Sequence, residues 1–355
     1  MTTDQRFPCP QCGADLRFDP GSGDLSCDFC GHREHLTPEA APSAIRELDF
    51  ETAIANRLPQ AEIEVTQVSR CTNCGAEVAF DEAQHATECP FCATPVVSDT
   101  GTHRHIKPAA VLPFALAEET ARKAMTDWLG SLWLAPGGLA KFARKGRKMQ
   151  GVYLPYWTFD ARTRTQYRGQ RGTVYHRTVR GADGQSRTES EVRWRPVSGR
   201  VARDFDDVLV CASPSLPAET TQKLEPWDLS DLTPYTPDFL AGFSAEGYRI
   251  DLPEGRQHAQ VRMDKVIARD VRMDIGGDRQ RISALETEIG GVTFKHVLLP
   301  IWLAAFSFRG KTYQVVVNGQ TGRVTGERPW SRWKIAGLVL LGIAVALGWL
   351  YLNNR

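Results

Sequence analysis

The chain has 355 residues, of which 42% are apolar and 24% charged. That composition excludes a wholly disordered chain, a collagen-like fibre and a polytopic membrane protein, and the length fits two or three domains. The net charge of +1 hides two poles: residues 1–105 hold 7 Arg, no Lys and 17 acids, for −10, while the other 250 hold 36 basic and 25 acidic residues, for +11.

Eight of the nine cysteines fall into four CxxC pairs. Cys9/Cys12 and Cys27/Cys30 are separated by 14 residues, as are Cys71/Cys74 and Cys89/Cys92, and all four pairs repeat at an offset of 62. A unit is therefore duplicated, over residues 1–35 and 71–105. Two such knuckles per unit suit a tetrahedral four-thiolate zinc site, so two structural Zn²⁺ ions are expected, each closed by its own quartet. Gly13 and Gly75 suit the tight turn that aims backbone amides at sulfur. A disulfide framework, or a site shared between the copies, is the alternative. Cys211 has no cysteine counterpart and is expected to pack as a small apolar residue. His32, His35, His103 and His105 flank units whose quartets are already complete, and so read as surface residues. Units without a Lys are poor phosphate binders, which weighs against nucleic acid.

Between the units, residues 36–70 place Ile45, Leu48, Ala53/Ile54 and Leu58 roughly on one face of a short amphipathic helix, expected to prop the units apart. Residues 106–328 form an α+β body. A helix is expected over residues 118–132 with Ala121, Ala124/Met125 and Trp128/Leu129 inward. A second lies within residues 254–273 with Val261, Val266/Ile267 and Val271 apolar. Strands are expected over 151–161, 173–180, 191–195, 208–211, 297–309 and 311–318, with a hairpin tip at 181–184.

Two segments resemble each other at an offset of 145: Val152-Tyr-Leu-Pro-Tyr-Trp157 and Val297-Leu-Leu-Pro-Ile-Trp302. They read either as two edge strands, because proline cannot donate to a ladder, or as related half-domains meeting at a groove. Residues 305–312, AFSFRGKT, satisfy a relaxed phosphate-loop pattern. The alternating Phe306 and Phe308 and the following YQVVV instead predict a hairpin. No acid–base pair or nucleophile stands at a readable spacing, so no catalytic residue is assigned.

Lys141 to Arg203 is the basic pole, with 16 Lys or Arg against 4 acids and eight aromatics, among them Tyr153, Tyr156, Trp157, Phe159, Tyr167, Tyr175 and Trp194. Three partners suit it: nucleic acid through phosphate and stacking, anionic lipid headgroups, or the chain's own acidic units. The lipid is the preferred functional reading, against the plain alternative of a sheet with a solvated arginine face. Ile335 to Leu352 is 18 residues without a charge, ten of them Leu, Ile or Val. At 1.5 Å per residue it spans about 27 Å, enough for one transmembrane helix. Trp330 and Trp333 mark one interface, Trp349 and Tyr351 the other. Arg323, Arg328, Arg332 and Lys334 precede the span and Arg355 follows it, so the positive-inside rule places the N-terminal part in the cytoplasm. The first ten residues have no signal-peptide character. The expectation is a tail anchor in the inner membrane, on whose cytosolic face thiols stay reduced.

With these residues in view the chain resembles a bacterial family of N-terminal zinc ribbons, central body and C-terminal membrane helix. The likeness is carried by Ile106-Lys-Pro, Leu112-Pro-Phe114, Gly151-Val-Tyr-Leu-Pro-Tyr-Trp157, Leu299-Pro-Ile-Trp302 and Val317-Asn-Gly-Gln-Thr-Gly322. Members are described as primosomal protein N′-like helicases or as transcription-factor-B-type zinc ribbon proteins. The chain lacks the nucleotide loop that a helicase needs. Some relatives resemble membrane partners of phage-shock-type envelope-stress proteins, which implies a scaffold. The expected function is a tail-anchored adaptor whose ribbons recruit a protein partner. A nucleic-acid-binding protein of replication is the alternative.

Overall fold

The structure, a computed structural model, describes residues 7–36, 45–59, 62–71, 77–79, 86–88, 91, 95–97, 102–136, 149–180, 186–308 and 311–353. It is a β-rich body built on a curled sheet, with a cysteine cluster near the N-terminus and, among the described residues, five α-helices, the last of them apolar. The first cysteine unit is a three-stranded antiparallel sheet of β1 (Arg17–Asp19), β2 (Asp24–Ser26) and β3 (Arg33–Glu34). Leu16, Phe18 and Leu25, together with Cys9 and Cys27, lie in the same apolar cluster, against which Phe239 and Phe243 pack. The rings of Phe18 and Phe239 meet edge to face at 5.5 Å, and Phe18 N–H donates to the Ala241 carbonyl at 3.0 Å. This unit is part of the body's core rather than a separable bead.

The segment expected to be one amphipathic helix is instead split. Leu48–Asp49 is a strand, β4, paired with Thr293 and Phe294, and only Phe50–Ile54 is helical, α1. The cause is Asp49, whose carboxylate caps Thr52 N–H at 2.7 Å and starts the helix after Leu48 has joined the sheet. Asn56, at φ 53°, ends it. Through β4 the segment is stitched to the body. Around the second cysteine unit, β5 (Ile63–Arg70) pairs with β6 (Glu77–Ala79) and β9 (Thr102–Ile106), and β7 (Ala86–Glu88) pairs with β8 (Pro95–Val97).

The body follows as β10 (Ala110–Val111), α2 (Glu118–Ser131), β11 (Gln150–Arg180), β12 (Ser186–Cys211), α3 (Ala218–Lys223), β13 (Thr233–Pro234), β14 (Ser244–Ala245), α4 (Leu252–Ile275), β15 (Arg279–Phe308), β16 (Lys311–Asn318), β17 (Val324–Gly326) and α5 (Arg332–Asn353). The main path of its nine-stranded sheet is β12-β11-β15-β10-β13. The short strands expected at 151–161 and 173–180 are one strand of 31 residues, and those at 191–195 and 208–211 are one strand of 26. At about 3.3 Å per residue, β11 runs roughly 100 Å. Its residues 152–159 are all buried in the core. From residue 162 onward β11, β12 and β15 leave the body as a three-stranded arm, which narrows to a two-stranded ribbon beyond Gly172, where β15 begins. The tip at 181–185 lies outside the described residues.

Helix α4 lies along the arm. It begins at the Asp251 cap, ends at Gly276 with φ 64°, and buries Leu252, Gly255, Ala259, Met263, Ile267, Val271 and Ile275. The helix is longer than expected, and Val261 is exposed rather than inward. The seam follows a spacing of three and four residues that leaves position 261 outside. Glycine at 255 is required because a Cβ there would lie 2.6 Å from the Trp157 ring. Arg203 on β12 donates to Asp270 at 2.5 Å, Tyr167 donates to Asp274, and Arg171 donates to the Ile275 carbonyl, which fastens the helix to the sheet. Helix α2 matches its expected span and buries Ala121, Met125 and Leu129.

The two VxLPxW segments are interior strands, not edges, and no groove separates them. They pair directly, with Tyr153 opposite Pro300 and Pro155 opposite Leu298. Each proline presents its carbonyl outward, Pro155 to Ala212 N–H and Pro300 to Gly319 N–H, both at 2.9 Å. The missing N–H therefore falls where the outer neighbour strand is ending, and no ladder bond is lost.

Candidate metal centre

The first quartet converges. Cys9 Sγ and Cys30 Sγ are 3.5 Å apart, as are Cys12 Sγ and Cys27 Sγ, and all four sulfurs lie within 4.8 Å of one another. A disulfide needs about 2.05 Å, whereas four sulfurs about 2.3 Å from one ion stand about 3.8 Å apart. The cluster fits a four-coordinate metal ion. Each knuckle closes the same way: Gly13 N–H donates to the Cys9 carbonyl at 2.9 Å and Gly31 N–H to that of Cys27 at 3.0 Å. Both glycines adopt positive φ, 74° and 73°, which a Cβ would oppose. The amides of Cys30 and Phe29 draw the Cys27 thiol down to about 7, whereas Cys30, despite the His32 amide, is pushed up to about 12 by burial and the neighbouring thiols. His35 turns to Asp24, at 2.6 Å, and not to the sulfurs.

Of the second quartet, Cys71 is buried, while Cys74, Cys89 and Cys92, with Gly75, lie outside the described residues. So do the side chains of His103 and His105. Phe91, the counterpart of Phe29 at the offset of 62, is 1% exposed and joins the core cluster of Leu112, Leu303 and Val316, whereas Phe29 is 84% exposed. Burial pushes the Cys211 thiol up to about 12, and its Sγ donates to the Ser213 carbonyl at 3.4 Å.

A second acidic convergence was not legible in the sequence. Asp160, Asp206 and Asp207 bring their carboxylates within 4.8 Å at the bulge between Phe159 and Ala161. The cation among them is Lys295, whose Nζ is 2.7 Å from Asp207 and 3.2 Å from Glu47. Burial, then a hydrogen bond to Glu47, pushes the Asp160 carboxyl up to about 6.

Lys141 to Lys148 lie outside the described residues, and the rest of the basic stretch is spread along the arm. On its helix-free face Arg162, Arg164 and Arg168 alternate with the buried Thr163, Thr165 and Tyr167. Glu288 stands beside Arg164 and Glu286 beside Gln166, so the face is mixed in charge. A cleft of about 570 Å³ opens there. The pattern at residues 305–312 is a hairpin, with Phe308 opposite Lys311.

Helix α5 has 22 residues, about 33 Å, is long and apolar enough to cross a membrane, and buries none of them. Only its base is tied down: Ser331 N–H donates to the Leu134 carbonyl at 2.9 Å, and Lys334 to those of Trp133 and Ala135 at 2.8 Å. That base sits at the end of the sheet where Gln150 pairs with Leu303, Ala304 with Val315 and Val315 with Gly326. The arm leaves from the other end.

These features define a chain that has, among the described residues, a cysteine centre able to hold a metal ion, a β-rich body and a helix able to span a bilayer. Among curated proteins it is similar to the uncharacterized protein YdjG of Bacillus subtilis (strain 168), 29% identical over 331 residues that cover 93% of this chain and 92% of YdjG. No family model matches the chain, and no solved structure matches it.

Proposed function

We propose that the chain is an adaptor of the bacterial inner membrane, of the zinc-ribbon family that it resembles. It is anchored through α5 with its body in the cytosol, and it recruits a protein partner through its first ribbon. Both quartets hold structural zinc in this reading. The observation that carries it is the asymmetry of the duplicated knuckles. Phe91 is packed into the chain's own core, while its counterpart Phe29 is left in solvent on a knuckle held rigid by the cysteine cluster. An exposed aromatic on a rigid turn is the composition of a docking hot spot, because it can fill a pocket at little entropic cost. Its duplicate, seated in an apolar socket on this chain's own sheet, supports a partner that offers a similar socket. An envelope-stress role follows from the family resemblance alone. The nucleic-acid alternative has to rest on the arm, where Glu286 and Glu288 interrupt the arginine rows.

The test is a photocrosslinking amino acid at position 29 of the full-length chain, in membranes, beside the same label at Met273, exposed on α4. The expected result is a discrete protein adduct from position 29 alone, in protein that carries two zinc ions per chain. Adducts to nucleic acid, or none, overturn the adaptor reading.

A further inference from the structure

A cleft of about 550 Å³ opens between the ends of α2 and α3 and the strand β17, from which the chain leads into α5. Its walls come from Trp128 and Leu132 at the end of α2, Lys223 at the end of α3, and Arg323, Thr325 and Arg328 around β17. Three cations line it and no carboxylate does. Glu225 gives its carboxylate to Arg262 at 2.8 Å, and Glu219 meets Lys223 at 2.6 Å, one turn away, in an exposed pair. Such an exposed pair contributes little stability and is readily exchanged for another anion. Arg323 is held in place by donating to the Glu225 carbonyl, and Arg328 lies 4.2 Å over the Trp330 ring.

The surroundings of the cleft are those of a bilayer surface. Arg328 is four residues from the first residue of α5, and Leu132 adjoins the Trp133–Ala135 turn that Lys334 grips. Trp133, Trp330 and Trp333 are 65%, 51% and 88% exposed at that level. Tryptophan ranged beside the end of an apolar helix is the composition of a membrane–water interface. The walls are apolar on the α2 side, where Trp128 and Leu132 stand, and cationic on the β17 side. An occupant with a phosphate at one end and hydrocarbon at the other matches that division.

We infer that this cleft binds the phosphodiester headgroup of an anionic membrane phospholipid. The inference rests on the membrane reading of α5. It moves the lipid contact from the arm, which projects from the other end of the sheet, to the foot of the helix. Lys223, Arg323 and Arg328 take the phosphate, and Trp128 and Leu132 take the first carbons of the acyl chains. The lipid then orients the body on its anchor, which a single helix by itself leaves free to rotate.

The experiment uses the full-length chain in detergent, with bound lipid counted by native mass spectrometry. Dihexanoyl phosphatidylglycerol should be retained as one copy, and dihexanoyl phosphatidylcholine should not. The Lys223→Gln/Arg323→Gln/Arg328→Gln variant should lose retention by about tenfold or more, whereas Arg164→Gln/Arg168→Gln/Arg200→Gln, which removes the same charge from the arm, should leave it unchanged. Should the triple variant at the cleft fail to fold, the exposed Lys223→Gln alone should weaken retention about threefold. Equal loss in the two triple variants, or no preference between the lipids, overturns the inference. Displacement by an equal concentration of sn-glycerol 3-phosphate also overturns it, since that marks a site for a soluble anion. Membrane fractionation of the same samples reports on the anchor separately: chain that stays in the membrane without lipid preference refutes the cleft alone, and chain in the soluble fraction refutes the membrane reading beneath it.

Discussion

Asp160 shows how one backbone irregularity creates a titrating group. The bulge between Phe159 and Ala161 turns the carboxylate toward Glu47, Asp207 N–H and Lys295, so one ammonium faces several acids. The folded-state pKa of about 6 is above the ordinary carboxyl value, so the folded chain binds more protons than the unfolded one between about pH 4 and pH 6. This group's contribution to stability is therefore full at low pH and is lost as pH rises through 6. Glu47, hydrogen-bonded to Asp160 and to Thr293, is shifted the other way and offsets part of it. Asn at 160 keeps the hydrogen-bonding shape and removes the charge. Asp160→Asn should melt above the wild-type protein at pH 7.5, and the difference should shrink toward pH 5. A difference that grows on acidification contradicts this account. None of this was legible in the sequence, since Glu47, Asp160, Asp207 and Lys295 lie on different elements. The cysteine quartet was legible because its chemistry is local and its spacing is repeated.

At the scale of elements, the arm depends on α4 for its one buried face. Ile267 and Val271 pack with Tyr167, Val197 and Val201, while Gly199 leaves room for Tyr167, whose hydroxyl would otherwise lie 2.6 Å from a Cβ. Two long strands of the arm's sheet were hidden in the sequence by their charge. Arg162-Thr-Arg-Thr-Gln-Tyr-Arg168 reads as a polar loop by composition, yet it alternates perfectly, with Thr163, Thr165 and Tyr167 inward. Period two was the signal available, and threonine and tyrosine suit it. Helix α4 was visible because three- and four-residue periodicity persists over its length, though its register failed at Val261. Truncating Ile267 removes buried surface at the centre of the arm. Ile267→Ala should cost about 2–5 kcal/mol in denaturant unfolding. Hydrogen exchange should show the loss over residues 162–172 and 195–205 rather than in the body around Leu154. Uniform loss over the whole sheet would mean that the arm and the body unfold as one unit.

For the whole molecule the controlling relation is between the arm and the foot of α5, which leave opposite ends of one sheet. The exit is set by β16 and β17: Val317 pairs with Val324 and Val315 with Gly326, so the chain travels away from the arm as it approaches Arg332. Where α5 crosses a bilayer, the exposed arginines of residues 162–203 are carried away from that surface by strands of up to about 100 Å. They are not expected to serve as a second anchor. Removing the residues after Lys334 keeps the Lys334 bonds to Trp133 and Ala135 and takes away the apolar span. The truncated chain should leave the membrane fraction. What association remains should be with anionic vesicles only and should vanish at about 1 M salt, where the screening length is about 3 Å. That residue of binding should fall with Lys223→Gln, Arg323→Gln and Arg328→Gln together, and not with Arg164→Gln, Arg168→Gln and Arg200→Gln. Truncated protein that stays with membranes through the salt wash would show an apolar contact other than α5. Salt-sensitive binding that follows the arm variants would place the arm against the lipid, and would overturn the polarity read from the strand pairing.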